Sequence, residues 1–336
     1  MIRCLQSWCR WYHECIIACF VHVFAGHDEF VTSLDICIRK YVKNSVAAER
    51  QAYLQLHTCV ILWGFTAILG RLISLPAVQL VCWRMALVTV VLLAVRRTWV
   101  GIAGMSLRSI FVFLAIGLIV TAHWVAFYTS IKISNASVAV ACLGLGSIFA
   151  AIIEPIVMQR PHERLELLLG VLAVPGVVLI VGGVPLDMRL GIAAGMVAAL
   201  LSAIFTTLNK RFASKGDPFA ITCIEMTAGA VVLAVPAALS GLTMPTQMDV
   251  IWLVVLAVAC TLLPFVMWIQ SLKYVSAFST LLILNLEPVY AILLAAILFR
   301  EYEDLTPLFY GGTAIVLLTV VMQPQLRRLT YFKMAQ

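Results

Sequence analysis

Displaced by 141 residues, this chain overlays itself without a gap. Ser130, Lys132, Ala136, Leu143, Leu145, Ala150, Gly170 and Ala173 fall on Ser271, Lys273, Ala277, Leu284, Leu286, Ala291, Gly311 and Ala314. In a chain that is 63% hydrophobic, coincidences of Leu and Ala are cheap. Those of Lys132 with Lys273 and of Gly170 with Gly311 are harder to obtain by accident. Both copies also set a charged tract, Arg160 to Glu166 and Arg300 to Asp304, between two long apolar runs. Whatever this chain folds into is built twice.

The medium is a bilayer. Only 12% of residues are charged and the mean hydropathy is +1.04, whereas soluble domains carry about 25% charged residues. Ten stretches approach the ~20 apolar residues that cross a membrane, near 56–73, 76–95, 109–130, 136–158, 166–184, 191–212, 218–239, 250–271, 277–299 and 305–324. Lipid offers no partner to a free backbone group, so each span is expected to be a helix. The fold class predicted is therefore all-α and integral to the membrane, with ten transmembrane helices. Five precede the Pro185-to-Arg189 break and five follow it.

The net charge of +7 invites a nucleic-acid reading, but its distribution does not support one. With the N-terminus inside, the cytoplasmic connections after the first span hold Arg96, Arg97, Arg108, Arg160, Arg164, Lys210, Arg211, Lys215, Lys273, Arg327, Arg328 and Lys333. The opposite side holds Arg71, Lys132, Arg189 and Arg300. This asymmetry is the positive-inside bias, and it places both termini in the cytoplasm. Five is an odd number, so the second half enters the membrane upside down relative to the first. The architecture expected is a 5+5 inverted repeat, with halves at 53–184 and 191–324 and a cytoplasmic tail at 325–336.

Residues 1–50 read as an extension outside that unit. They hold five of the ten cysteines, Cys4, Cys9, Cys15, Cys19 and Cys37, without a C-x-x-C spacing that would point to a metal. The apolar run Cys15 to Ala25 is too short to span, and Glu14 argues against a signal peptide. The other cysteines lie singly in apolar spans and read as small buried residues.

Ionisable groups deep in a span are rare, and they either line an aqueous cavity or pair with one another. Arg84 sits well inside the second span and Glu225 inside the seventh, at positions that coincide under the repeat. Either they bridge helices or they face a common cavity. Glu287 lies midway along the ninth span in Asn285-Leu286-Glu287-Pro288. Proline there removes a backbone donor and frees a carbonyl four residues earlier, so Glu287 and Asn285 mark a polar site at mid-membrane. His123, Trp124 and Tyr128 share one face of the third span and are candidates to contact solute. Glu154-Pro155 lies nearer the cytoplasmic end, where a solvated carboxylate is ordinary. Asn209 and Gln270 read as hydrogen-bonders between helices.

Enzyme signatures are missing. His162-Glu163-Arg164-Leu165-Glu166 opens like a zinc motif but puts Glu166 where the second ligand belongs, and no nucleotide-binding loop occurs. No cofactor is expected. An inverted repeat around a mid-membrane carboxylate favours a secondary-active carrier working by alternating access. A channel or lipid-scrambling protein would share this composition, and an intramembrane enzyme is a more distant alternative.

The chain resembles the drug/metabolite transporter superfamily, and within it permeases with two EamA-type halves. The resemblance rests on the repeat, on Leu62-Trp63-Gly64-Phe65, on Trp83-Arg84, and on Glu287-Pro288-Val289-Tyr290 followed by Arg300-Glu301 and Gly311. It covers about residues 53–324. Ser147 stands where the second half has Pro288, which predicts unequal halves. The resemblance implies a bacterial inner-membrane permease that exports amino acids or other small metabolites. It also implies a cavity lined by the first four spans of each half. Its partners would be the solute and the lipid bilayer, with energy from an ion gradient or from the solute's own gradient; protons are the candidate coupling ion, and a homodimer is the candidate assembly.

Overall fold

The computed structural model describes residues 27–162, 164–239, 241, 243–284, 286–300, 303, 305–315, 317, 318 and 322, with side chains from residue 47. Among these residues there is no strand. Helix α1 runs His27–Leu72, and its membrane-length part, Ala47–Leu72, starts earlier than the sequence pattern indicates. After a short turn α2 covers Ala77–Leu93. The chain then bends by 87° into α3, Arg96–Ala103, which the sequence reading treated as a bare connection. Its Trp99 and Val100 are exposed, as suits a helix lying along the membrane surface. Helix α4 is Leu107–Ile133, capped by the Ser106 side chain.

The fourth and ninth expected spans are each broken in two. Helices α5 (Ala136–Leu143) and α6 (Gly146–Met158) form the first. Helices α12 (Ala277–Leu284) and α13 (Glu287–Phe299) form the second. All four bounds map onto one another at the 141-residue offset. So do the left-handed caps, Gln159 and Arg300, each with φ of 55°. The start caps also correspond. Asn135 accepts from the Val138 amide at 2.9 Å, and Ser276 accepts from the Ser279 amide at 3.0 Å. The break in the first half occurs at Gly144-Leu145 without a proline, so the break itself does not require a counterpart to Pro288.

The remaining helices are α7 (Arg164–Gly182), α8 (Arg189–Phe212), α9 (Pro218–Leu239), α10 (Gln247–Ala257), α11 (Leu263–Ser271) and α14, residues 307–315. A π-helical turn, Val258–Leu262, joins α10 to α11 into one span. Pro264 lacks an amide hydrogen, which loosens the ladder at this turn. Its counterpart α4 is regular throughout, so this turn breaks the symmetry of the halves. Among the described residues six helical stretches are long and apolar enough to cross a membrane, and a seventh if α2 and α3 are taken together. The other expected spans are helical wherever they are described.

Packing follows the repeat. Helix α4 packs on α8 as α11 packs on α1, and α5 and α6 pack on α8 as α12 and α13 pack on α1. Helices α2 and α9 face each other, and the broken spans cross, α5 on α13 and α6 on α12. The contact pattern is thus preserved when the two halves are exchanged. Small residues permit the closest approach. A Cβ on Gly117 of α4 would stand 2.5 Å from the Glu225 carbonyl oxygen of α9. At one end Asp249 accepts from the Ser74 amide and hydroxyl at 2.8 and 2.7 Å, tying the α1–α2 turn to the start of α10. At the other, Arg97 pairs with Asp217 at 2.9 Å.

Candidate functional site

Three ionisable residues of the core, Arg84, His123 and Glu287, line one cavity between the halves. It encloses about 690 Å³ of atom-free space, counting its open mouth. Its wall draws on α1 (Trp63, Thr66), α2 (Arg84), α4 (His123, Trp124, Phe127) and α5 (Leu143). From the second half come α8 (Ser202, Phe205, Thr206), α11 (Phe265, Trp268), α12 (Leu281, Leu284) and α13 (Glu287). Among the described residues, none of α7, α9 or α14 lines it.

Arg84 is 1% exposed and held in one pose. Its Nε donates to Thr261 Oγ1 at 2.6 Å and its Nη1 to the Tyr128 hydroxyl at 2.9 Å. Its guanidinium lies 3.8 Å from the centre of the Trp124 ring, a cation–π contact in a dry setting. Thr261 owes its position to the π-helical turn, where its hydroxyl donates back to the Leu256 carbonyl at 2.5 Å. Such turns recur at functional sites because they re-aim side chains without ending the helix. Tyr128 therefore supports the site from behind and is not part of the cavity wall.

Glu287 opens α13 just after the break, and the next residue, Pro288, has no amide hydrogen to leave unpaired in the first turn. A carboxylate in the first turn of a helix is favoured by the helix dipole. It shares the cavity with Arg84 but makes no direct ion pair with it, so opposite charges face the same space with room between them. Asn285, expected beside Glu287, lies outside the described residues.

His123 is buried and its Nδ1 lies 2.7 Å from the Ala198 carbonyl oxygen. A carbonyl only accepts, so Nδ1 carries the proton and Nε2 is left as an acceptor. The ring is 5.1 Å from Phe205, edge to face. Phe205, Phe265 and Trp63 each stand against Trp268 in the wall, with ring centres 5.6, 5.0 and 6.3 Å from it. The sequence reading missed Trp63, Phe205, Phe265 and Trp268. For two of them the repeat itself carried the signal, because Trp124 and Phe127 shift by 141 onto Phe265 and Trp268.

Glu225 is placed elsewhere. It is 0% exposed, lies on α9, and neither lines the cavity nor pairs with Arg84. The symmetric positions of Arg84 and Glu225 do not converge on one space, because Arg84 turns towards α4 and the π-helical turn.

Comparison with known proteins finds the same two halves. The model of a family described as the EamA-like transporter family matches residues 50–182 and 189–323, one match per half. The chain is 24% identical over 265 residues to an uncharacterized transporter, YyaM, of Bacillus subtilis (strain 168), covering 71% of this chain and 85% of that protein. A solved crystal structure, 16% identical, superposes with a TM-score of 0.62 over 83% of this chain and 98% of that one, which shows a shared fold.

Proposed function

The chain belongs to the EamA-like transporter family, and from that premise we propose a secondary-active carrier that exports small metabolites such as amino acids. The observation that carries the reading is the cavity between the halves, with Arg84 and Glu287 facing one space inside an aromatic wall. A zwitterion fits it by chemistry: a carboxylate towards the Arg84 guanidinium, an ammonium towards Glu287, and an apolar side chain against the rings.

Ten spans in two inverted halves, both termini in the cytoplasm of a bacterial inner membrane, would let the halves rock about this site. The broken spans α5/α6 and α12/α13 are the elements suited to that movement, since interrupted helices mark the binding sites of many such carriers. Glu287 supplies the coupling. An ionised carboxylate at mid-membrane is disfavoured by about 2.5–3.5 kcal/mol unless compensated. The ammonium of a solute or a proton provides that compensation, and the two compete for the same oxygens. Proton entry from the far side then displaces solute outward. Carrier chemistry is preferred to catalysis because His123 spends Nδ1 on the Ala198 carbonyl and the wall offers no paired nucleophile and base.

Metabolite profiling tests the reading. Cells overproducing the wild-type protein should enrich one or a few small zwitterions in the medium. Cells with equal membrane levels of Glu287→Gln or Arg84→Met should not. No enriched solute, or equal enrichment by both variants, would remove the proposed site.

A further inference from the structure

Glu225 and Asn209 form a second polar island, away from the solute cavity. Both side chains are 0% exposed. Glu225 lies against Asn209 of α8. Yet both carboxyl oxygens, and both the nitrogen and the oxygen of the amide, are buried without a hydrogen-bond partner. Buried polar atoms are nearly always paired, so four unpaired atoms side by side require an explanation.

Among the described residues no cation supplies one. On α2, Arg84 is bound to Thr261 and Tyr128, and Cys82 approaches the Ala230 carbonyl. On α3, Arg97 holds Asp217 and Arg96 is exposed. On α4, His123 binds the Ala198 carbonyl, Tyr128 binds Arg84, Lys132 donates to the Ile73 carbonyl, and Arg108 is exposed. On α8, Lys210 and Arg211 donate to the carbonyls of Leu272 and Val157, and Arg189 is at the far end. Helix α11 carries no ionisable side chain. Cys223 is the other titratable group of α9, and Gly117 brings the α4 backbone too close for a side chain to enter.

An ionised carboxylate only accepts hydrogen bonds, so the Asn209 oxygen would then face a group of its own kind. A protonated one donates through its hydroxyl to the Asn209 oxygen while its carbonyl oxygen accepts from the Asn209 nitrogen. Acid and amide then satisfy each other in a closed ring. We infer that Glu225, paired with Asn209, is a proton-binding site separate from the solute cavity. Thr206 connects the two. It lines the cavity, its hydroxyl is unpartnered, and it sits three residues before Asn209 on the same face of α8. Glu225 is about 10 Å along α9 from its first residue, on the side assigned to the cytoplasm. A proton leaving Glu287 for the cavity, where Thr206 stands, and bound next by the Glu225 carboxylate before release to water on the cytoplasmic side, would thus be relayed between Glu287 and the cytoplasm. The relay role rests on the carrier reading, whereas the proton site does not.

Infrared spectroscopy of the purified full-length protein in detergent, in H2O and D2O at neutral pH, tests the site. The wild type should show a carboxylic-acid C=O stretch that is lost in Glu225→Gln and persists in Glu287→Gln. Asn209→Ala, which removes the ring but keeps the acid, should shift that band to higher frequency. A band unaffected by Glu225→Gln, or its absence from the wild type, overturns the proposal. If Glu225→Gln does not fold, an unshifted band in Asn209→Ala overturns it alone. In proteoliposomes, Glu225→Gln should slow accumulation of an amino-acid mixture driven by a pH gradient, and unchanged accumulation overturns the relay. Wild-type vesicles that accumulate nothing would instead count against the carrier reading, leaving the spectra to judge the proton site.

Discussion

Thr261→Val removes one oxygen from the core and should cost more than any neutral polar deletion nearby. Thr261 accepts from Arg84 Nε at 2.6 Å and donates to the Leu256 carbonyl at 2.5 Å. A hydrogen bond from a charged group contributes about 1.5–3 kcal/mol and a neutral one about 0.5–1.5. Neutral side-chain bonds between membrane helices average only about 0.6. Loss of both partners therefore amounts to about 2–4 kcal/mol, because Arg84, 1% exposed, has no water to turn to. Thr207→Val is the matched control. Thr207 is 0% exposed, but its hydroxyl has no partner, so a methyl in its place should be neutral or stabilising by about 1 kcal/mol. Thr261→Ser keeps the oxygen and should stay within about 1 kcal/mol of wild type. Reversible unfolding of the three variants in one micelle composition measures the differences. If Thr261→Val lies within about 0.5 kcal/mol of wild type, or Thr207→Val loses as much, Arg84 is not anchored as described.

Two further expectations concern packing and orientation. Gly117→Ala should lower thermal stability by about 1–3 kcal/mol, since its Cβ would meet the Glu225 backbone at 2.5 Å, whereas Gly182→Ala, with nothing within 4 Å, should not. Equal stability of the two variants would mean that α4 and α9 are not in close contact. Cysteines introduced at Asp187 and Arg189 should react with an impermeant thiol reagent from outside intact cells, and one at Lys215 only after permeabilisation. The reverse labelling would invert the assigned topology.

Much of the fold was legible because the repeat was. The offset that aligned Lys132 with Lys273 also aligns the starts of α2 and α9, the two broken spans and both left-handed caps. Helix breaks were harder to read. Pro288 announced the one at Glu287, but the break at Gly144-Leu145 carries only the weaker signal of Gly144 and Gly146, and the two pieces pack against α8 and the opposite broken span. Position under the repeat also does not fix direction. Arg84 and Glu225 correspond in sequence, yet the π-helical turn brings Thr261 to Arg84, and the regular α4 offers Val120 at the equivalent place. For the same reason the acid–amide pair of Glu225 and Asn209 was hidden, since hydrogen-bond partners are set by helix rotation rather than by spacing.

Counterflow tests the central claim most directly. Proteoliposomes of the purified protein would be loaded with a concentrated unlabelled amino-acid mixture and diluted into a trace of the labelled mixture. A carrier with one solute site facing alternate sides should draw label inward above its external level, with saturation by unlabelled solute outside. The Arg84→Met protein, reconstituted at equal density, should lose that overshoot. Entry that is linear in concentration and indifferent to the internal load would mark an open pathway and contradict alternating access at the Arg84–Glu287 cavity.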